Sequence, residues 1–209
     1  MNSRTAVILG GAVLAVVLAV SVPHVLWGND QRQAKELVQN TCATCHKFEG
    51  KPDSRFNLKA QDLMWGGSKY QRAWLIGWLT GKEAPLYPKG YRWDLAEGPT
   101  KHMTVSPAEA EAIAEYFEKN LVDPRVKVGA MDLSTFSAME AEFGRQIYKG
   151  HACLGCHLIE ENGKIIGGPQ SASLVTAGQR YNPDWLYRFG MNPQDFTPHS
   201  GEFLADATL

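Results

Sequence analysis

The stretch that decides the fold is TCATCHKFEG, residues 41–50, and a second stretch of the same kind, HACLGCHLIE, follows at residues 151–160. Each contains two cysteines three positions apart, with a histidine directly after the second cysteine. The chain of 209 residues has four cysteines in total, so the two motifs use all of them. The group that binds this Cys-x-x-Cys-His pattern therefore determines what the protein does.

The pattern is the attachment signature of c-type haem. On one turn of helix, cysteines three apart project from neighbouring positions, where their sulfurs can add to the two vinyl groups of one haem. The histidine that follows can then offer its imidazole to the iron. The sequence predicts two covalent haem c groups, attached through Cys42, Cys45, Cys153 and Cys156, with the proximal iron ligands His46 and His157.

Other uses of the cysteines fit less well. A zinc ribbon places its two Cys-x-x-Cys pairs about 15 to 20 residues apart, whereas roughly 100 residues separate these two pairs. A zinc site of one Cys-Cys-His set and a further ligand lacks the spacing of a zinc finger. A thioredoxin-like redox site needs a βαβ context, and a disulfide within Cys-x-x-Cys is rarely structural.

The overall composition is that of an ordinary globular protein. Hydrophobic residues make up 44% and charged residues 21% of the chain, and the net charge is -1. A nucleic-acid-binding protein needs a basic surface to neutralise phosphates, so the sequence indicates no nucleic-acid partner.

Residues 6–27 form the most apolar segment and contain no Asp, Glu, Lys or Arg. At about 1.5 Å per residue, a helix of that length spans a hydrocarbon core of about 30 Å. Arg4 precedes the segment and Trp27 ends it. We therefore expect a membrane anchor with a cytoplasmic N-terminus and with the haem domains on the periplasmic, positive side. The alternative is a secretory signal that is cleaved, and both interpretations predict export.

Two units of similar plan follow this segment. Trp74 lies 28 residues after His46, and Trp185 lies 28 residues after His157. The first unit ends in a helix that is predicted from a capping box beginning at Ser106. The second unit has no such helix at its end. We expect a mainly α fold: an N-terminal transmembrane helix and two cytochrome c-like α domains, the second without a C-terminal helix. The predicted divisions are an anchor at 1–30, a first domain at 31–121, a linker at 122–133 and a second, minimal domain at 134–209.

With these motifs the sequence resembles the class I cytochrome c family in its membrane-anchored dihaem form. The resemblance rests on the two Cys-x-x-Cys-His motifs, on Gly167-Gly168-Pro169 and on the region of Met103. It implies that the loop containing Pro169 supports the proximal histidine of the second haem. It also implies that Met103 binds the opposite face of the first iron.

The distal ligands remain open between several candidates. For the first haem we predict Met103, with the adjacent His102 as competitor, whereas Met64 fits core packing better. For the second haem the position where the family has a methionine reads HSGEFL, so we predict His199 there, with Met191 as competitor.

Two covalently fixed haems indicate electron transfer. We expect a subunit of a respiratory or photosynthetic membrane redox complex that exchanges electrons with a soluble carrier, similar to the dihaem cytochrome subunits of quinol–cytochrome c reductases and haem–copper oxidases. The alternative is a dihaem enzyme, peroxidase-like or reducing a nitrogen oxide, in which the second iron is open. A redox-sensing or purely structural haem subunit is a third possibility.

Overall fold

The computed structural model describes residues 31–50, 61–83, 102–168 and 173–196. Helices dominate this part of the chain. Residues 31–40 are helical and are called α1. The later helices are α2 (Gly66–Lys69), α3 (Arg72–Leu79), α4 (Pro107–Asn120), α5 (Ala138–Gly150), α6 (Cys153–Cys156), α7 (Ala177–Arg180) and α8 (Pro183–Met191).

One short hairpin interrupts the helices. Strand β1 (Ile159–Glu161) pairs antiparallel with β2 (Lys164–Ile166), and Ile159 lies opposite Ile166. The tight turn between the strands has positive φ angles at Asn162 and Gly163, a backbone conformation that these two residue types adopt at low cost. The hairpin follows directly on the second Cys-x-x-Cys-His motif.

Helix α4 forms the centre of the hydrophobic core. Its start is fixed by the predicted capping box: the Ser106 hydroxyl accepts from the Glu109 amide, and the Glu109 carboxylate accepts from the Ser106 amide. The buried face of α4 consists of Ala110, Ile113, Ala114 and Phe117. Ala34 and Val38 of α1 are buried in the same cluster. Burying one such branched side chain contributes about 1.5–3 kcal/mol, so this packing fixes α1 and the motif that follows it.

Helix α2 crosses α4 at very close range because it begins with two glycines. A Cβ on Gly67 would lie 2.0 Å from the Phe117 carbonyl oxygen, and a Cβ on Gly66 would lie 2.6 Å from the Phe117 ring. The Gly67 amide also donates to the Leu121 carbonyl at 2.9 Å. The approach of the two backbones therefore requires glycine at Gly67.

Helices from the two units share one core. Tyr181, Trp185 and Phe196 of the second unit are buried in the same cluster as Tyr70 and Trp74 of the first. Tyr70 and Tyr181 form an isolated antiparallel bridge. The division into domains at residues 31–121 and 134–209 stays a prediction.

The Asp123 carboxylate stabilises the segment that leads out of the first unit. Its side chain is buried and accepts from the Arg125 amide at 2.9 Å and from the Arg125 guanidinium at 2.7 and 2.8 Å. The guanidinium also lies over the Trp65 and Phe196 rings, at 5.2 and 5.0 Å from their centroids. One ion pair thus contacts aromatic side chains of both units.

The predicted fold class is wrong in one respect. It included an N-terminal transmembrane helix, and none of the helices in the described ranges is both long and apolar enough to cross a membrane. Helix α4 has 14 residues, which at about 1.5 Å per residue is well short of a hydrocarbon core of about 30 Å. Residues 1–30, for which the anchor was predicted, lie outside the described residues. The mainly helical character agrees with the structure.

Replacing Gly67 with alanine tests the contact between α2 and α4. We expect Gly67→Ala to lower the free energy of unfolding by about 2 kcal/mol, because the new methyl group overpacks against backbone atoms that cannot rotate away. The matched control is Gly144→Ala in α5, where a Cβ meets nothing within 4 Å. At that position we expect the free energy of unfolding to rise by about 0.5–1 kcal/mol, because alanine has a higher helix propensity than glycine. Urea unfolding of both variants measures the difference, and equal stabilities would contradict the described crossing.

The Asp123 ion pair predicts a pH dependence of stability. Burial alone would raise the pKa of Asp123, but the hydrogen bonds from the side chain and backbone of Arg125 outweigh burial and hold the pKa below its ordinary value. The pair therefore stabilises the fold above the unfolded-state pKa of about 4, and this stability is lost as pH falls through the lowered folded-state pKa.

Asp123→Asn should lower the free energy of unfolding by about 2 kcal/mol at pH 7. It should also weaken the loss of stability at acid pH, here called the acid limb of the stability curve. Thermal unfolding between pH 7 and pH 2 measures both effects. Glu36→Gln, on the exposed face of α1, is the control and should keep the acid limb. A variant with the same acid limb as the parent protein would contradict the assignment.

Candidate haem-binding site

Both Cys-x-x-Cys-His motifs are built on a single helical turn. The first forms the 3₁₀ turn Cys42–Thr44, and the His46 amide donates to the Cys42 carbonyl at 2.9 Å. The second forms α6, and the His157 amide donates to the Cys153 carbonyl at the same distance. In each motif the two cysteines therefore lie one turn apart, on neighbouring positions of the helical surface. This is the local geometry that the sequence pattern predicts.

The cysteines are available for covalent attachment. All four are free thiols, and Cys45 is exposed while the other three are partly buried. Burial raises the pKa of the Cys42 thiol, so the first sulfur of that motif stays protonated at neutral pH. Within the described ranges no cluster of three or more His, Cys, Asp or Glu side chains could bind a free metal ion.

His46 is held in the tautomer that an iron ligand needs. Its Nδ1 lies 2.8 Å from the Gln61 carbonyl oxygen. A carbonyl only accepts, so Nδ1 carries the hydrogen and Nε2 is left with its lone pair. Burial lowers the pKa of His46, and the bond to Gln61 opposes this only in part. The ring is thereby favoured in the neutral form that binds metals, with a backbone carbonyl fixing its tautomer.

The distal candidates of the first unit lie in the segment before α4. Both His102 and Met103 are exposed, Met103 to 49%. The His102 ring centroid lies 6.1 Å from that of His46. Met64 is 8% exposed and belongs to the buried hydrophobic residues, which confirms the prediction of core packing. The assignment of Met103 stays a prediction.

The second unit carries its motif on the same kind of turn. A Cβ on Gly167, which has φ +101°, would lie 2.1 Å from the His157 carbonyl oxygen. The Gly168 amide donates to the Leu154 carbonyl at 2.8 Å. The chain after β2 thus passes directly over the motif. Met191 ends α8 and is 64% exposed, whereas Pro169 and His199 lie outside the described residues.

Four buried hydrogen-bond donors near the boundary of the units have no acceptor, and this bears on whether the surroundings fit a haem. The Tyr70 hydroxyl, the indole nitrogens of Trp74 and Trp185 and the Nε of Arg180 are buried and have no hydrogen-bond partner. Their residues are between 4% and 6% exposed. A buried donor without an acceptor costs about 1–3 kcal/mol, and the carboxylates of haem propionates are acceptors of the required kind. The residues present therefore fit the group: these donors would suit the carboxylates of a haem bound at the motifs.

Three arginines of the two units, Arg72, Arg180 and Arg188, differ in how far their guanidinium groups are already paired. Arg72 pairs with Glu111 and Glu118 of α4, and Arg188 pairs with Asp195. Arg180 is 4% exposed and donates to the Ser173 carbonyl, while its Nε lacks a partner. Of the three, Arg180 is the one whose guanidinium suits a propionate.

Sequence reasoning missed two residues of the site, Gln61 and Tyr181. Gln61 contributes a backbone carbonyl, for which a side-chain pattern gives no signal. Tyr181 lies 111 positions after Tyr70, the same offset that separates His46 from His157. That offset would have identified Tyr181 as an equivalent residue.

Comparison with protein-family models gives a match to the first unit. Residues 32–120 match the family model described as Cytochrome c. No curated protein and no solved structure matches the chain. The matched range contains the first motif, α2, α3 and α4, including His46 and the His102–Met103 pair.

The match agrees with the one-turn motif, the tautomer of His46 and the unpaired donors. Cytochromes c bind haem c covalently through cysteine sulfurs and use the haem iron to transfer electrons. Residues 32–120, which are less than half of the chain, are thus similar to the cytochrome c family, and this match supports haem-based electron transfer.

Proposed function

We propose that the protein binds two c-type haems, one at each motif, and passes electrons between a membrane redox complex and a soluble carrier. The observation that carries the proposal is the common geometry of the two motifs. In both, a single helical turn presents the cysteines, and the histidine amide closes that turn on the first cysteine at 2.9 Å. When bound, haem supplies a reversible one-electron couple at its iron.

The equivalence extends beyond the motifs. Gln71 and Asn182 lie 111 positions apart, as do Lys69 and Arg180. The backbone amide of Gln71 donates to the Arg180 carbonyl at 3.0 Å, and the backbone amide of Asn182 donates to the Lys69 carbonyl at 2.9 Å. Equivalent residues thus make reciprocal bonds, which supports a second haem-binding unit derived from the same plan.

The packing between the units suits an electron carrier. Five rings form a continuous series, here called the aromatic stack, in which neighbouring centroids lie 5.3 to 6.0 Å apart: Trp78, Trp74, Tyr70, Tyr181 and Trp185. A close-packed interior changes little when a charge is added nearby. Burial raises the pKa of Tyr70 and of Tyr181, so both hydroxyls stay protonated at physiological pH.

Two features support the proposed partners and location. Met139, Phe143 and Ile147 lie four residues apart along α5 and are 79%, 63% and 44% exposed. An exposed apolar stripe of this kind is typical of contact surfaces between proteins, which supports association with another subunit. The uncharged residues 6–27 support export, and we propose the periplasmic side as the place of electron exchange.

Counting the haems tests the proposal. Mass spectrometry of the denatured full-length chain should show a mass that exceeds that of the polypeptide by two haems. Cys42→Ala/Cys45→Ala and Cys153→Ala/Cys156→Ala should each show one, and each double variant serves as the control for the other. Each remaining haem should be reduced and reoxidised reversibly in a potentiometric titration. A parent protein with one haem or none would contradict the proposal.

Ligand binding separates electron transfer from the enzymatic alternative. Carbon monoxide added to the reduced protein and cyanide added to the oxidised protein should bind slowly, because a carrier presents no open iron. Rapid binding at low concentration, with a spectral change at one haem, would favour the dihaem enzyme instead. The spectra of the two double variants identify the haem that reacts.

A further inference from the structure

Lys69 lies at the point where the two units meet. It ends α2, and its ammonium nitrogen lies 5.6 Å from the Tyr181 ring centroid and 5.1 Å from that of Trp185, both in the second unit. The Tyr70 ring of its own unit lies at 5.2 Å. Each of these aromatic faces attracts the positive charge. The contact between the units therefore fixes the position of the Lys69 ammonium group.

The same ammonium group contacts the residue whose backbone binds His46. Lys69 Nζ donates to the side-chain oxygen of Gln61 at 3.1 Å. The backbone carbonyl of Gln61 in turn accepts from His46 Nδ1 at 2.8 Å. A hydrogen bond from a charged donor is stronger than one between neutral groups. Two hydrogen bonds thus connect the contact between the units to the imidazole of the first motif.

The segment that contains Gln61 is also tied to the chain directly after the motif. The Leu63 amide donates to the Lys47 carbonyl at 2.8 Å, and Lys47 is the residue that follows His46. Residues 61–63 are therefore held by the motif segment on one side and by Lys69 on the other. The Gln61 carbonyl is kept in place by both attachments, of which Lys69 supplies the charged one.

The second unit repeats this arrangement at the offset of 111 positions. Arg180 takes the place of Lys69 and donates to the Ser173 carbonyl. The Leu174 amide donates to the Leu158 carbonyl at 2.8 Å, the same distance as its counterpart in the first unit. In both units a cation at the end of a short helix therefore holds the segment that follows the motif. The repetition indicates a role for the cation that is common to the two motifs.

We propose that Lys69 is a positioning residue for His46 and acts through Gln61. It keeps the Gln61 carbonyl on Nδ1 and thereby fixes the strength of the hydrogen bond that the proximal imidazole donates. A hydrogen bond at the outer ring nitrogen raises the basicity of a metal-binding imidazole. The contact between the units therefore tunes the ligand of the first haem. The inference rests on the proposed function, since it presupposes a haem at the first motif.

Substitutions of Lys69 in the full-length haem protein test the inference. Lys69→Met keeps an unbranched side chain and removes its charge and its donors. In the reduced protein, NMR should then show the His46 Nδ1 hydrogen exchanging with solvent about fivefold faster, because the hydrogen bond that protects it is weakened. Lys69→Arg restores a charged donor and should restore the slow exchange. Lys35→Met, on the exposed face of α1, removes the same charge and should leave the exchange unchanged.

A substitution of Gln61 separates the hydrogen bond from the charge. Gln61→Leu removes the side-chain acceptor but keeps the backbone carbonyl at this position and the charge of Lys69. It should accelerate the exchange as Lys69→Met does, and it tests the bond even if Lys69→Met does not fold. It should also raise the midpoint potential of the first haem, because a less basic imidazole donates less electron density to the iron. The Cys153→Ala/Cys156→Ala background, in which only the first haem is expected, assigns this potential.

Three results would overturn the proposal. Exchange in Lys69→Met as slow as in the parent protein would show that Lys69 does not position His46. Equal acceleration in Lys69→Met and Lys69→Arg would show that the cation is not what holds Gln61. Fast exchange in Lys69→Met with no change in Gln61→Leu would show that Lys69 acts through its charge alone. Failure of the proposed function is distinguishable, because mass spectrometry of the parent protein would then show no covalent haem on Cys42 and Cys45.

Discussion

The antiparallel contact between Tyr70 and Tyr181 is the constraint on which the arrangement of the two motifs depends. It joins the end of α2 to the end of α7, and the two phenol rings stack at 6.0 Å. Each tyrosine is followed by a helix that carries a buried tryptophan, Trp74 in one unit and Trp185 in the other. Because these rings belong to one hydrophobic core, a shift of one motif relative to the other would open that core.

The charged residues at this contact are held by aromatic faces. Lys69 Nζ lies 5.6 Å from the Tyr181 centroid and 5.1 Å from that of Trp185. Arg180 lies over the Tyr181 and Trp74 rings at 4.3 and 5.9 Å. Each cation thus contacts the tryptophan of the opposite unit. A positive environment of this kind suits the carboxylates of haem, and it agrees with the unpaired donors found at the same boundary.

Local patterns were the most predictable part of the protein. The one-turn geometry of the motifs and the Ser106–Glu109 capping box follow from residues within four positions of one another, and the structure confirms the capping box. The bridge between Tyr70 and Tyr181 joins residues 111 positions apart, and no local rule predicts such a contact. The choice between His102 and Met103 stays a prediction, since no local rule decides which of two adjacent loop residues is the ligand. The transmembrane helix was the error; it was inferred from the length and hydropathy of residues 6–27 and from the flanking Arg4 and Trp27.

The reciprocal bonds between the units have a consequence for the symmetry of the contact. The amide at position 71 donates to the carbonyl at position 180, and the amide at position 182 donates to the carbonyl at position 69. With the repeat of 111, each bond is the image of the other under an approximate twofold rotation. Such an interface is isologous, so a single unit bearing it would complement a copy of itself.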